Sequence, residues 1–179
     1  MRVARWAAVA VAMVMVGLVA LLATRDASRN TAAASPLISK PAPEVIAPDL
    51  DGTTIRLSQY RGRYVVLNFF ASWCVPCARE HDDLQRFATR HGASGTGDAQ
   101  VVAVLFDDEP AEARAFFEER GGDWPVLVDS RGKVALDFGV RGPPESFVVD
   151  PDGVVVARIV GEVTDTGLDR LIAQVEAER

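Results

Sequence analysis

The sequence predicts an α/β domain, a mixed central β-sheet flanked by helices. Three observations carry this. Apolar runs rich in β-branched and aromatic residues, Tyr64 to Phe70 and Gln100 to Phe106, alternate with stretches of helical spacing. Pro151-Asp152-Gly153 turns one apolar run into another, and an amphipathic segment follows that hairpin. About 140 residues remain after a leader of some 40, enough to bury one core and hardly two.

The leader begins with Arg2 and Arg5 and then runs uncharged for 18 residues, Trp6 to Ala23. As a helix that run reaches about 27 Å, close to the apolar thickness of a bilayer and longer than a usual signal-peptide core. Residues 1–24 are therefore read as a signal anchor, with the N-terminus cytoplasmic because arginines precede the run. Cleavage, giving a secreted or periplasmic protein, is the alternative; its candidate site, Ala32-Ala33-Ala34, lies far from the apolar end. Either way the folded part is exported, and no cysteine follows the run to carry a lipid. Residues 25–42, with Pro36 and Pro41 and no apolar periodicity, read as a linker, and 43–179 as the domain.

Within the domain, Asp51-Gly52 between Val45 to Leu50 and Thr53 to Leu57 signals a small hairpin. Tyr64 to Phe70 alternates little, as a strand buried on both faces would, and Asn68 is its one polar residue. A satisfied core amide accounts for Asn68 at least as well as a catalytic role. From Cys74 to about His91, positions Cys77, Ala78, Leu84, Phe87 and Ala88 keep helical spacing. Gly92 to Ala99 is a small, glycine-rich connection. After the strand at Gln100 to Phe106, Asp107 to Glu109 and then Pro110 start a helix with Ala113, Phe116 and Phe117 inward, which Gly121-Gly122 stops. Val126 to Val128 is a short strand and Lys133 to Phe138 one or two helical turns. Gly142-Pro143-Pro144-Glu145 leads into Ser146 to Val149, which pairs with Val154 to Val160, and Leu168, Leu171, Ile172 and Val175 mark the closing helix.

The chain carries a net charge of −6; residues 1–40 hold five cations and Asp26, or +4, which leaves −10 on the body. An acidic body repels phosphate backbones and argues against nucleic acid as a partner.

Cys74 and Cys77, the only cysteines, stand in Trp73-Cys74-Val75-Pro76-Cys77 at the start of the first long helix. Unpaired N–H groups and the positive dipole end there stabilise a thiolate on Cys74, and Cys77, one turn on, is placed to attack any mixed disulfide that Cys74 forms. The pair is thus expected as a reversible disulfide at the exposed tip of a helix. A zinc site is an alternative, but no second cysteine pair exists, and His81 and His91 fall at spacings unlike a finger. A structural disulfide is another, though so short a loop removes little unfolded-chain entropy. Glu80, three residues after Cys77, lies on neighbouring helix surface, where a carboxylate either exchanges a proton with the resolving sulfur or is simply solvated. Neither a metal nor a cofactor is called for.

The stretches Asn68-Phe69-Phe70-Ala71-Ser72-Trp73-Cys74-Val75-Pro76-Cys77-Ala78-Arg79-Glu80-His81 and Gly139-Val140-Arg141-Gly142-Pro143-Pro144-Glu145-Ser146-Phe147-Val148-Val149-Asp150 resemble the thioredoxin superfamily, and within it the membrane-anchored TlpA/ResA/DsbE branch. The resemblance spans about residues 43–175 and implies a thioredoxin-like fold with an N-terminal hairpin and a central insertion. It implies that Cys74 attacks, Cys77 resolves, Pro144 is the cis-proline beside the disulfide, and Glu80 is the branch's buried acid. Trp73, Val75, Pro76 and Pro143 are the expected substrate-binding positions. Asn68 stands where ordinary thioredoxins carry a buried aspartate. Pro143 has no N–H for a bound peptide, so docking there is expected to use its carbonyl and apolar contact.

The expected function is that of an extracytoplasmic thiol-disulfide oxidoreductase. By resemblance its substrate is apocytochrome c, through the haem-attachment C-x-x-C-H, or a carrier acting on it, and its electron donor is a membrane protein of the CcdA or DsbD kind. Val75-Pro76 brings no cation to the thiolate, which favours a reductant over an oxidant. The alternatives are a disulfide-forming oxidase of secreted proteins and a non-catalytic binding or chaperone module on the same scaffold.

Overall fold

The computed structural model describes residue 6 and residues 13–15, 31–92 and 97–179. Eight strands are present among these residues: β1 (Thr31–Ala32), β2 (Ile46–Pro48), β3 (Thr54–Arg56), β4 (Tyr64–Phe70), β5 (Ala99–Leu105), β6 (Val126–Val128), β7 (Glu145–Val149) and β8 (Val155–Val160). Four α-helices accompany them, α1 (Val75–His91), α2 (Pro110–Arg120), α3 (Lys133–Phe138) and, after β8, α4 (Asp165–Ala177), with a short 3-10 helix at Leu57–Tyr60. Six strands form one sheet in the order β1-β8-β7-β4-β5-β6, while β2 and β3 make the separate hairpin that Asp51-Gly52 signals. β4 runs parallel to β5, and β5 to β6, because helices carry the crossovers; β7 is antiparallel to both β4 and β8. The thioredoxin-like, mixed-sheet architecture is the one expected.

β4 is buried along its whole length, which explains its unbroken apolar run. Its side chains alternate between two cores. Val66 and Phe70 join Leu84 and Phe87 of α1, Ala113 and Phe116 of α2 and Leu168 of α4 on one face. Val65, Leu67 and Phe69 meet Phe138 of α3, Phe147 of β7 and Ile55 of the hairpin on the other. Full burial of each such side chain contributes roughly 1.5–3 kcal/mol. By the same alternation Asn68 points to the α1 face.

Residues read as linker are joined to the sheet from Thr31 onward. β1 pairs with Val160 and Ile159 of β8, and Ser39 and Ala42 donate to the carbonyls of Val155 and Gly153. Backbone groups make these pairings, while Leu37, Ile38 and Ala42 pack against the core on the hairpin side without forming a periodic apolar pattern. The remainder of that segment and the apolar run Trp6 to Ala23, apart from Trp6 and Met13–Met15, lie outside the described residues, as do 93–96 of the connection after α1. Among the described residues no helix is long and apolar enough to cross a membrane.

Candidate active site

β4 ends at Phe70, and four residues later Cys74 caps α1 in an extended conformation. Its Sγ accepts the Cys77 N–H at 3.2 Å. Pro76 sits in the first turn of α1, where a missing N–H leaves no helical bond unmade. Cys74 and Cys77 are joined as a disulfide, with an S–S distance of 2.06 Å. The Pro143–Pro144 bond is cis. The register of β4 and β7, which sets Phe69 opposite Glu145, brings Pro144 to the end of β4 from which the cysteine loop springs. Two segments some seventy residues apart in sequence therefore meet at one edge.

The expectation of sulfurs at an exposed tip needs correction. Cys74 is 4% exposed and Cys77 3%, while Trp73 and Val75 on either side are 57% and 65% exposed. The cap turns Sγ inward over the first turn, so the flanking side chains form the accessible surface. Pro76 and Pro143 are partly exposed and Pro144 is buried.

A loop with no motif to mark it as part of the site also holds the cysteine segment. The Trp73 indole N–H donates to the Asp107 carbonyl at 3.1 Å, and the Ser72 N–H to Oδ2 of Asp108 at 2.6 Å. Asp107 adopts a left-handed φ of 46°, which aspartate tolerates better than most residues. Asp107 and Asp108, with Phe106, Glu109, Leu136 and Val140, help line an open groove of about 810 Å³. Its wall is thus bonded directly to the cysteine loop.

Glu80 is 2% exposed. Its Oε1 accepts Asn68 Nδ2–H at 2.8 Å and its Oε2 accepts the Val163 N–H at 2.7 Å. Burial pushes its pKa up to about 7; the two N–H donors oppose that push, and the negative charges of Glu162 and Asp83 reinforce it. A group half ionised near neutrality can accept or return a proton at physiological pH. The solvated-charge reading of Glu80 is excluded.

Asn68 is as buried as Glu80 and also reaches Ser146 Oγ, at 3.0 Å. His81, on the next position of α1, is a core residue. Its Nε2 lies 2.9 Å from the Gly121 carbonyl, which can only accept, and its ring packs against Phe116, Phe117 and Trp124. Burial pushes the His81 pKa down. Beyond the disulfide, Glu145 forms a buried ion pair with Arg158, whose Nη2 lies 2.7 Å from Oε2. The signal in the sequence was an arginine inside an apolar β8. Among the described residues no three His, Cys, Asp or Glu side chains group as metal ligands would.

Comparison with known proteins agrees with this geometry. Residues 38–173 match the family model described as Redoxin. Over 132 residues the chain is 36% identical to the thiol:disulfide interchange protein DsbE of Allochromatium vinosum, an alignment covering 72% of this chain and 70% of that one. It is 31% identical over 138 residues to the thiol-disulfide oxidoreductase ResA of Bacillus thuringiensis, covering 77% and 78%. A crystal structure from Chlorobium tepidum, described as a thiol:disulfide interchange protein DsbE, superposes with a TM-score of 0.69 at 29% identity, covering 76% of this chain and 96% of the other.

Proposed function

The chain belongs to the Redoxin family and is a thiol-disulfide oxidoreductase, and from that premise we propose that it works outside the cytoplasm as a reductant of apocytochrome c or of a carrier acting on it. The observation that carries the reading is a Cys74–Cys77 disulfide at a helix N-terminus, at the edge where cis-Pro144 lies, with a buried carboxyl one turn beyond Cys77. The DsbE and ResA names of its relatives support the exchange chemistry. The cytochrome assignment rests on the resemblance of the two site segments. Thioether attachment of haem needs free thiols, which gives a reductant a purpose in an oxidising compartment.

In the proposed cycle a donor of the CcdA or DsbD kind delivers two electrons and opens the Cys74–Cys77 bond. The Cys74 thiolate, favoured by the helix N-terminus, attacks one sulfur of the partner's disulfide. A Cys74–partner disulfide forms and one partner thiol leaves. Glu80 takes the proton of Cys77, and the Cys77 thiolate attacks Cys74 Sγ. The enzyme disulfide closes, and the second partner sulfur departs as a thiolate that takes back the proton held by Glu80. Trp73, Val75, Pro76 and Pro143 contact the substrate chain, which leaves the site through the open groove beside the cysteine loop. The apolar run Trp6 to Ala23 holds the domain on the outer face of the membrane.

Replacing Cys77 by Ser stops the cycle at the mixed disulfide, so partners stay covalently bound to Cys74. Recovery of apocytochrome c or a cytochrome-assembly protein is expected. Recovery of general secreted proteins alone, with a reduction potential near the DsbA value of about −120 mV rather than the thioredoxin value of roughly −270 mV, overturns the reductant reading in favour of an oxidase.

A further inference from the structure

Asn68 Nδ2 carries two hydrogens, and both are used: one on Glu80 Oε1 at 2.8 Å, the other on Ser146 Oγ at 3.0 Å. All three side chains are at most 2% exposed, so none can turn to water for a missing partner. This arrangement suits an ionised Glu80, whose two oxygens each accept from an N–H. It does not suit a neutral one. A protonated carboxyl must donate, and the Val163 N–H beside Oε2 can only donate too.

We propose that Asn68 and Ser146 form a reversible amide relay that positions Glu80 in both of its charge states. With Glu80 ionised, the amide gives its N–H groups to the carboxylate and to the serine oxygen. With Glu80 neutral, the Asn68 amide turns about χ2 so that Oδ1 accepts from Glu80 O–H and from Ser146 O–H. The serine hydroxyl makes this possible because it accepts in one arrangement and donates in the other. A broad, roughly two-fold torsion makes the turn available to an asparagine within a packed site. An aspartate at position 68 offers no donor to a carboxylate and adds a like charge. An apolar residue offers neither a donor nor an acceptor. Asn68 is thus a positioning residue, and the polar exception in an otherwise apolar β4 has a purpose.

The charges that face Glu80 do not supply this function. Asp83 lies on its own helix and Glu162 precedes α4; both are negative, and Arg79, a cation bonded to Glu162, sits on the exposed side of α1. The contributions from β4 and β7 are the neutral groups of Asn68 and Ser146.

The inference rests on the proton-acceptor role proposed for Glu80, and the test is chosen to be independent of partner reduction. The full-length oxidised chain, carbon-13 and nitrogen-15 labelled in detergent micelles, is titrated by NMR while the Glu80 carboxyl carbon and the Asn68 side-chain amide are followed. Both are expected to move with a single midpoint. In Asn68→Leu the Glu80 midpoint is expected to rise by about one pH unit or more, a tenfold or greater fall in its ionisation constant, because the hydrogen bond lost from the charged form is stronger than the one lost from the neutral form. An Asn68 amide that stays fixed while Glu80 titrates overturns the relay, and so does an unmoved midpoint in an Asn68→Leu chain with a native spectrum. Should Asn68→Leu fail to fold, the wild-type amide titration decides alone. A working relay with partner reduction independent of Glu80 leaves this inference standing and removes the role proposed for Glu80 in exchange.

Discussion

Two glutamates flank the disulfide, each 2% exposed, and they have been given opposite surroundings. Glu145, directly after cis-Pro144, accepts the Arg141 N–H on Oε1, and on Oε2 it takes Nε and Nη2 of Arg158 at 3.0 and 2.7 Å. Arg158 also donates to the carbonyls of Gly139 and Ala34, so this ion pair fastens the proline loop to the sheet and to the segment before β2. Among the described residues Glu80 receives two neutral N–H donors and no cation. Equal burial therefore yields unequal chemistry. A guanidinium balances the charge of Glu145 and makes it a fixture, whereas amide donors alone leave Glu80 near pH 7 and free to titrate.

The comparison breaks first at Arg158. Arg158→Leu leaves Glu145 buried without its cation and is expected to cost about 3–5 kcal/mol in urea denaturation. Adding Glu145→Gln to that variant is expected to restore part of the loss, since the stranded charge is then gone. Full additivity of the two changes would show that they do not form one unit.

At Glu80 the expectation reverses sign with pH. The buried carboxyl titrates at about 7 against an ordinary 4.5. Between those values the folded chain keeps a proton that the unfolded chain has released, so stability falls as pH rises through that window and is lowest above 7. Glu80→Gln removes this dependence. Relative to its effect at pH 4, it should gain about 3 kcal/mol at pH 8, read from paired denaturation curves. A pH-independent effect would show that Glu80 is not the titrating group.

In exchange assays the same Glu80→Gln chain should release its partner about a hundredfold more slowly at pH 8 and lose the inflection near neutrality, within the usual range for general acid–base catalysis. The smallest effect belongs to Glu162. Its charge pushes Glu80 upward from outside, so Glu162→Gln should lower the inflection slightly without abolishing it.

Local signals made most of the architecture readable. Tyr64–Phe70, Val126–Val128 and Lys133–Phe138 fall at the bounds expected, because two-faced burial demands unbroken apolar runs and because glycines at 132 and 139 take the left-handed cap positions of α3. The site was legible as two segments, but not as a network. Asn68 meets Glu80 twelve residues away and Ser146 seventy-eight away, and Arg158 reaches back 124 residues to Ala34. Such partners follow from sheet register, which spacing in one segment does not encode. The burial of the two sulfurs escaped for a related reason: a helix N-terminus gives the direction of a dipole, while the inward turn of Cys74 Sγ follows from its capping bond to Cys77.

The attachment of residues 31–42 to β8 has a counterpart across the molecule. Asp49 makes a β-bridge to Leu127 of β6, so short stretches preceding Leu50 sit against both rims of the six-stranded sheet. An open rim displays a row of unpaired peptide groups that templates another chain. The early part of the chain, besides placing Val45 and Ala47 in a core, thereby guards the protein against self-aggregation in the crowded exterior where it is proposed to work.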